Sequence, residues 1–168
     1  MQFNPQAVLA YSPALVFGST SPAASGSSGG NTFASIERKN SSGRFALNLP
    51  TAAMADLAFT VGNEHGGPDG VGDKFERHGI AHFEGQSDGL PLLSGCAAWL
   101  ACRLIPEPHV QQAYDRFLGE VTAAWADARV YSGGRWHFEQ HPGLRTLHHV
   151  AGGHFLLPSD AVQARSLE

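Results

Sequence analysis

The chain has 168 residues, of which 42% are hydrophobic and 15% are charged, and its formal net charge is −4. This composition predicts one globular domain over residues 1–168 with enough chain to bury a core. The acidic balance argues against nucleic acid or an anionic membrane as the main partner, because both bind basic surfaces. With no apolar run of membrane length and no export leader in the sequence, a cytoplasmic location is expected.

The N-terminal region combines a short apolar stretch with a polar loop. Residues 7–17 have the composition of a strand, but Ser12 and Pro13 interrupt it, so they predict an edge strand or two short strands. Residues 18–30 then form a Ser/Gly loop. This loop is either a ligand-free surface segment or a source of donors for a phosphate, among them Ser19 and Thr20.

A glycine-rich approach to a short helix follows this loop. Gly29 and Gly30 allow close approach of the backbone to a ligand, and Asn31 or Thr32 is predicted to cap a helix that buries Phe33 and Ile36. The free N–H groups of its first turn would favour an anion. A surface helix with no ligand explains these residues equally well.

The next elements are a strand and a second helix. Residues 44–49 alternate between apolar and more polar side chains, which predicts a half-buried strand that Pro50 ends. Thr51 can cap a helix that Gly62 ends. The apolar positions of that helix have the spacing of one buried face: Met54, Leu57, Ala58 and Val61.

Residues 73–75 (DKF) follow a flexible loop and allow two interpretations. Lys74 can neutralise a phosphate or carboxylate, and Phe75 can pack on an aromatic ring. Alternatively, Asp73 and Lys74 begin a solvated helix while Phe75 fills the core.

Two long strands are predicted in the second half of the chain, over residues 90–105 and 117–125, the first of them covered on both faces. Cys96 and Cys102 share one face of the first strand, roughly 20 Å apart by the rise per residue, so they are expected to be buried free thiols. His109 lies between the strands in a predicted turn.

Five of the nine histidines lie in the last third of the chain: His137, His141, His148, His149 and His154. Imidazole is a common metal ligand. No spacing such as H-E-x-x-H is present, and on a strand His148 and His154 would face away from His149. We therefore expect no metal site.

Four segments in chain order resemble the flavin reductase family. They are residues 32–51 (TFASIERKNSSGRFALNLPT), residues 73–75 (DKF), residues 90–105 together with FLGEV at 117–121, and residues 147–157 (LHHVAGGHFLL). The resemblance implies a mainly β, antiparallel Greek-key split β-barrel with a few short helices. It also implies a homodimer with flavin near the subunit interface.

The resemblance implies NAD(P)H-dependent reduction of FMN or FAD, with NADH or NADPH as donor and a flavin-dependent monooxygenase as a possible acceptor of the reduced flavin. Gly152 and Gly153 would let the backbone pass close to a flat ring. The implied site consists of Ser19, Thr20, Thr32 and Ser35 for the phosphate, Asn48, Leu49, Pro50 and Thr51 for the ribityl chain and ring edge, Lys74 and Phe75 beside them, and His149 or His154 near the nicotinamide.

The sequence departs from the family pattern at two places. The first hairpin of the barrel is expected to be missing or replaced, because about a dozen residues precede the SPALV step at residues 12–16. Ala113 and Tyr114 stand where many members carry an Asp-His pair linked to nicotinamide binding. The alternative is therefore a non-catalytic split-barrel protein that holds flavin or haem. Replacing Asn48 with Leu is expected to weaken flavin binding without unfolding the protein.

Overall fold

The structure is a computed structural model that describes residues 15–19, 33–34, 43–64, 70–84, 89–114 and 116–167. The strands are β1 (Leu15–Ser19), β2 (Phe33–Ala34), β3 (Arg44–Leu49), β4 (His82–Glu84), β5 (Pro91–Leu93), β6 (Ala98–Ile105), β7 (Arg116–Ala126), β8 (Tyr131–Ser132), β9 (Arg135–Trp136), β10 (His148–Ala151) and β11 (His154–Leu156). The helices are α1 (Ala55–Gly62), α2 (Lys74–His78) and α3 (Pro108–Tyr114), with 3-10 turns at Ala52–Met54 and Pro142–Leu144.

A five-stranded sheet in the order β1-β7-β6-β3-β2 forms the centre of the fold, and all of its described strand pairs are antiparallel. The fold also contains three separate two-stranded sheets, formed by β4-β5, β8-β9 and β10-β11. The predicted mainly β architecture with a few short helices is confirmed. No helix within the described residues is long and apolar enough to cross a membrane.

Each face of the central sheet carries a cluster of buried side chains. On one face Ala46, Ala101 and Trp99 pack with Leu92 and Cys96. The other face carries a second cluster of buried side chains: Phe45, Leu47, Cys102 and Val121. The expectation of a half-buried strand at β3 was therefore wrong, because side chains pack against its polar-looking face as well as its apolar one.

Gly119 in β7 allows the second of these clusters to form. An ideal Cβ at Gly119 would lie 2.5 Å from Cζ of Phe45, closer than real Cβ contacts come. The Phe45 ring, which is 5% exposed, thus lies directly over the backbone of β7. This contact gives a physical reason for glycine in the FLGEV segment.

The predicted helix at Phe33 was wrong. Phe33 and Ala34 form β2 and pair with Asn48 and Leu47 of β3. A short isolated helix is marginal in water, whereas the edge of β3 offers ladder hydrogen bonds to an extended chain. Tertiary pairing therefore overrides the local capping signal.

The predicted strand over residues 90–105 is two strands, because a turn separates β5 from β6. Gly95 lies in this turn with φ of +92°, which glycine adopts readily. Cys96 consequently precedes β6 rather than lying on it. The prediction of buried free thiols is confirmed, and burial raises the pKa of Cys96 to about 12 and that of Cys102 to about 11.

Several other elements agree with the sequence. The helix after Thr51 is present as a 3-10 turn followed by α1, with Val61 buried and Met54 packed against the core. The strand predicted over residues 117–125 is β7. His109, however, lies in α3 rather than in a turn, and residues 148–156 form a hairpin rather than one strand.

Candidate functional site

The end of β3 is the first place to look for the predicted ring-edge contacts, and Asn48 is buried there. Its side chain is 2% exposed, and its Oδ1 accepts the Leu93 N–H at 2.8 Å. Trp99, the cross-strand partner of Asn48 on β6, donates its indole N–H to the Leu93 carbonyl at 2.9 Å. The two side chains together satisfy both backbone polar groups of Leu93, so the amide oxygen of Asn48 is committed inside the protein.

Thr51 also makes an internal hydrogen bond. Its side chain is 1% exposed, and its hydroxyl donates to the Gly95 carbonyl at 3.0 Å. Asn48 and Thr51 therefore fasten the end of β3 to the residues that connect β5 with β6. Their burial leaves neither side chain at the surface, and their proposed flavin contacts stay a prediction.

The backbone beyond β3 pairs with the segment that leads into β10. Thr51 forms an antiparallel bridge with Thr146. The Ala52 N–H donates to the Arg145 carbonyl at 2.8 Å, and the Leu147 N–H donates to the Pro50 carbonyl at 3.2 Å. The fold thus brings the predicted ring-edge segment, residues 48–51, beside the chain that enters the histidine-bearing hairpin.

The β10-β11 hairpin turns through two glycines. Gly152 and Gly153 have φ of +54° and +82°, as a type I′ turn requires. An ideal Cβ on Gly153 would lie 3.2 Å from Cε2 of Phe59, a side chain of α1. Gly153 therefore packs closely against the Phe59 ring, and this contact supports the hairpin turn on α1. The expected approach of the Gly-Gly step to a flavin ring stays a prediction.

The two predicted catalytic histidines lie on opposite faces of this hairpin. His149 pairs with Phe155 across the strands, and their ring centroids are 5.2 Å apart. His154 shares the other face with Leu156, because alternate residues of a strand face the same way. His149 is half-buried and His154 is exposed, so only one of the two can line a given pocket.

Lys74 is fixed at the C-terminal end of α1. Its Nζ donates to the Val61 carbonyl at 2.6 Å and to the Glu64 carbonyl at 2.7 Å. Desolvation lowers the pKa of Lys74, and the nearby Glu64 charge opposes that shift. An ammonium at the end of a helix satisfies free carbonyls and suits the negative end of the helix dipole.

Glu64 connects the two short helices from the other side. Its carboxylate lies 2.6 Å from Nε2 of His78 and 3.7 Å from Nε of Arg77. The hydrogen bond with His78 is the main reason that the pKa of Glu64 lies below its ordinary value. Asp73 caps α2 by accepting the N–H groups of Phe75 and Glu76, which confirms the predicted helix start.

Phe75 packs into the protein. It packs against the buried cluster that contains Leu92 and Trp99. Its ring meets that of His82 edge-on, with the centroids 4.9 Å apart. Of its two predicted roles, filling the core is the one that these contacts support.

The predicted phosphate ligands fall almost entirely outside the described residues. Thr20, Thr32 and Ser35 are outside them, and Ser19 is described only as the last backbone position of β1. Their role stays a prediction. In the part of the chain that the structure describes, no three His, Cys, Asp or Glu side chains are grouped closely enough to hold a metal ion.

Sequence reasoning missed Phe59, which supports the hairpin, and Glu64, which links α1 to α2. Phe59 lies off the buried stripe of α1 and is 43% exposed. An aromatic side chain on the predicted solvent face of an amphipathic helix was the available signal. Glu64 lay in a predicted loop, and nothing local marked its pairing with His78, fourteen residues away.

Comparison with known proteins assigns the chain to a family. The flavin reductase like domain model matches residues 7–143. YddH of Escherichia coli (strain K12) is 40% identical over 123 residues, which cover 73% of this chain and 63% of YddH. The chain thus spans less than two thirds of that relative's length.

Two solved structures agree with this match. The FMN-binding domain of a flavin reductases-like enzyme from Shewanella baltica OS155 is 35% identical, with a TM-score of 0.64, over 77% of this chain and 71% of that chain. A Shewanella frigidimarina NCIMB 400 structure assigned to the flavin reductases with a split barrel domain is 13% identical, with a TM-score of 0.53, over 74% of this chain and 61% of that chain. The second likeness shows the fold alone, and the predicted split-barrel class is confirmed. By its match over residues 7–143, the chain belongs to the flavin reductase-like domain family.

Proposed function

We propose that this chain is a flavin-binding oxidoreductase that reduces FMN or FAD with NADH or NADPH. The observation that carries the proposal is the 35% identity, over 77% of the chain, with an FMN-binding domain of a flavin reductases-like enzyme. The match of the family model over residues 7–143 supports it independently.

The described residues fit the flat part of a flavin better than its phosphate. His149 and Phe155 form a ring pair on one face of the β10-β11 hairpin, next to the chain that pairs with the end of β3. Stacking and apolar contact of this kind suit a planar ligand. Lys74, in contrast, directs two N–H groups at carbonyls of α1 and Glu64. The hydroxyl donors for a phosphate are therefore expected between residues 18 and 35.

Hydride transfer to a flavin requires little chemistry from the protein's own side chains. The flavin supplies the hydride-accepting ring when it is bound, and the protein binds it, orients it and excludes water. His149 is the side chain we assign to the ring surface, and the half-buried Phe155 holds the imidazole in place. No general acid or base is required of the described residues for hydride transfer.

The partner of this reaction is also part of the proposal. Reduced flavin that leaves the site would supply a flavin-dependent monooxygenase, as the family resemblance implies. If the reduced flavin instead stays bound, it would transfer its electrons to an acceptor while still in the site. Retention through desalting separates these two modes.

The test is oxidation of NADH and of NADPH by the purified protein, with FMN and with FAD, in the absence of oxygen. We expect flavin-dependent consumption of at least one nucleotide and bleaching of the flavin band. Flavin binding without any nucleotide oxidation would contradict the reductase activity while leaving the binding site intact.

A second candidate is a flavin carrier without nucleotide turnover. The observation that favours it lies in α3, where Tyr114 is 62% exposed and its ring meets that of His109 at 5.8 Å. Ala113 and Tyr114 occupy the positions at which an Asp-His pair is expected in members that use nicotinamide. A carrier would show flavin colour and reduction by dithionite, but no NADH oxidation. A Soret band in place of a flavin band would identify haem as the ligand.

A further inference from the structure

The β10-β11 hairpin is attached to the rest of the described fold near its base and at its turn. Near the base, Thr146 forms a bridge with Thr51. The Leu147 N–H also donates to the Pro50 carbonyl at 3.2 Å. Among the described residues, the two strands of the hairpin have no third strand beside them. A two-stranded sheet is marginally stable in water, so the hairpin depends on its contacts with other elements for a fixed position.

The contact at the turn is made by Gly153 and the ring of Phe59. An ideal Cβ at Gly153 would lie 3.2 Å from Cε2, 3.4 Å from Cζ and 3.5 Å from Cδ2 of Phe59, so one edge of the ring lies against the backbone of the turn. At the neighbouring Gly152, and at Gly134 in the turn of the β8-β9 hairpin, an added Cβ would meet nothing within 4 Å. The close approach is therefore particular to Gly153.

Phe59 lies on α1, and this helix is held at both ends. In the turn before the helix, the Ala52 N–H donates to the Arg145 carbonyl at 2.8 Å. In the last turn, Nζ of Lys74 donates to the Val61 carbonyl at 2.6 Å. A side chain on a helix that is fixed in this way gives the hairpin turn a rigid support.

We propose that Phe59 is a positioning residue, which fixes the turn of the β10-β11 hairpin and thereby the place of His149 relative to residues 48–51. The inference rests on the proposed function, in which His149 lies at the flavin ring. His149 is two residues beyond Leu147, where the hairpin base is bonded, and it precedes the turn at Gly153. The position of His149 therefore depends on both attachments.

A small movement of the hairpin is enough to matter. A strand rises about 3.3 Å per residue, so a tilt of about 10° at Leu147 would move His149 by about 1 Å. A displacement of about 1 Å in a reacting site can lower a rate about a hundredfold. Phe59 itself is 43% exposed, so its replacement removes less buried surface than replacement of a core residue does. Positioning and stability can thus be measured apart.

The first measurement is amide hydrogen exchange of the flavin-free protein, which does not depend on the proposed function. In Phe59→Ala we expect the amides of β10 and β11 to exchange at least about fivefold faster, because the turn loses its support and the hairpin opens more often. Phe59→Leu keeps an apolar side chain and is expected to restore most of the protection. The amides of β6 are the internal reference. Equal hairpin exchange in Phe59→Ala and the wild type would overturn the inference.

The second measurement is FMN titration of glycine variants. Gly153→Ala places a Cβ against the Phe59 ring. Gly134→Ala is its matched control, because Gly134 is also the second glycine of a two-residue turn, with φ of +78° and open space around it. We expect Gly153→Ala, and likewise Phe59→Ala, to bind FMN at least about fivefold more weakly, and Gly134→Ala to bind it as the wild type does.

A double variant shows whether Gly153 acts through Phe59. In the Phe59→Ala background, Gly153→Ala is expected to cause no further loss of affinity, because the ring that its Cβ would meet is gone. A loss of the same size in both backgrounds would mean that the Cβ meets the flavin or another group, and would contradict the role of Phe59. A wild type that binds no FMN would count against the proposed function, and hydrogen exchange would still decide whether Phe59 fixes the hairpin.

Visible circular dichroism of bound FMN separates positioning from a general loss of stability. The spectrum reports the surroundings of the flavin ring, and at saturating FMN it is independent of affinity. We expect Phe59→Ala to change this spectrum and Phe59→Leu to retain that of the wild type. An unchanged spectrum in Phe59→Ala would leave Phe59 a structural role alone and would overturn its assignment as a positioning residue.

Discussion

The central sheet and the C-terminal hairpin differ in how their side chains are used. In β3 and β6, side chains on both faces are buried, and the polar ones, Asn48 and Trp99, are committed to the backbone of Leu93. In the β10-β11 hairpin, apolar residues and histidines are exposed, and the two strands pair only with each other among the described residues. Asn48 and Trp99 are thus engaged inside the protein, whereas the hairpin presents apolar and imidazole side chains at its surface.

This difference shows that a polar residue at the end of a strand can serve the fold rather than a ligand. Asn48 and Thr51 have the residue types expected of ligand contacts, yet their oxygens are engaged in buried bonds that hold the segment between β5 and β6. The groups that remain available for a ligand or partner lie on elements that are packed on one side only. The predictions below test where the boundary between framework and site lies.

The largest effect is expected at Gly119. Gly119→Ala would force a Cβ into the Phe45 ring, where the gap is 2.5 Å. Overpacking of this kind costs about 3 kcal/mol of unfolding free energy, measured by urea denaturation. Gly143→Ala is the matched control, because a Cβ there meets nothing within 4 Å. Equal stabilities of the two variants would show that the sheet is looser than its contacts indicate.

Asn48→Leu is expected to cost about 2 kcal/mol, because it leaves the buried N–H of Leu93 without an acceptor. The earlier expectation that this change spares stability thus does not match the contacts of Asn48. The measurement is urea denaturation, followed by FMN titration at a temperature at which the variant is folded.

Asn63→Leu is the control for Asn48→Leu, since the Asn63 amide makes an exposed bond to the Phe59 carbonyl. A large loss of FMN affinity in Asn48→Leu with unchanged stability would show that Asn48 contacts the flavin rather than supporting the fold.

Lys74→Met is expected to cost about 1 kcal/mol, because two carbonyls at the end of α1 lose a charged donor. The informative measurement compares FMN with riboflavin, which lacks the phosphate. If Lys74 is part of the framework, the variant weakens both ligands by the same factor or neither. A loss confined to FMN would identify Lys74 as a phosphate ligand.

The smallest expected effect is a change in acid sensitivity. Asp127 is 6% exposed directly after β7. Burial raises its pKa, but hydrogen bonds from the Arg129 side chain and N–H outweigh that effect, so the pKa lies below its ordinary value. A carboxyl whose pKa is lower in the folded state contributes stability above its unfolded pKa, and this contribution is lost as the pH falls through the folded pKa.

Asp127→Asn is therefore expected to be less stable than the wild type at about pH 7 and to approach it at about pH 3. Urea midpoints at the two pH values measure this difference. Glu64, whose pKa is also lowered, affects both proteins alike. A stability difference that is independent of pH would mean that the Arg129 pair does not favour the ionised carboxyl.

Local sequence patterns predicted the elements that carry their own signal. The i, i+3, i+4, i+7 spacing from Met54 to Val61 identified the helix after Thr51, and the apolar residues on one face of residues 117–125 identified β7. The Gly-Gly step between two short runs could have identified the hairpin, because a two-residue loop with positive φ is its usual turn.

Other features depend on contacts that no local pattern contains. β2 is two residues long and exists because β3 pairs with it. Whether Asn48 contacts a ligand or the backbone depends on Leu93, which is 45 residues away in the chain. The opposite orientations of His149 and His154 follow from the register of the β10-β11 hairpin. The sequence predicts only that successive residues of a strand face opposite sides.

The most direct test of the account is an FMN titration of the wild type and of the matched pair His149→Ala and His154→Ala, followed by flavin fluorescence. We predict saturable binding of one FMN per chain by the wild type, a clear loss of affinity for His149→Ala, and wild-type affinity for His154→Ala. The absence of saturable binding by the wild type would contradict the flavin site. A loss of affinity confined to His154→Ala would place the flavin on the face of His154 and would contradict the assignment to the face of His149 and Phe155.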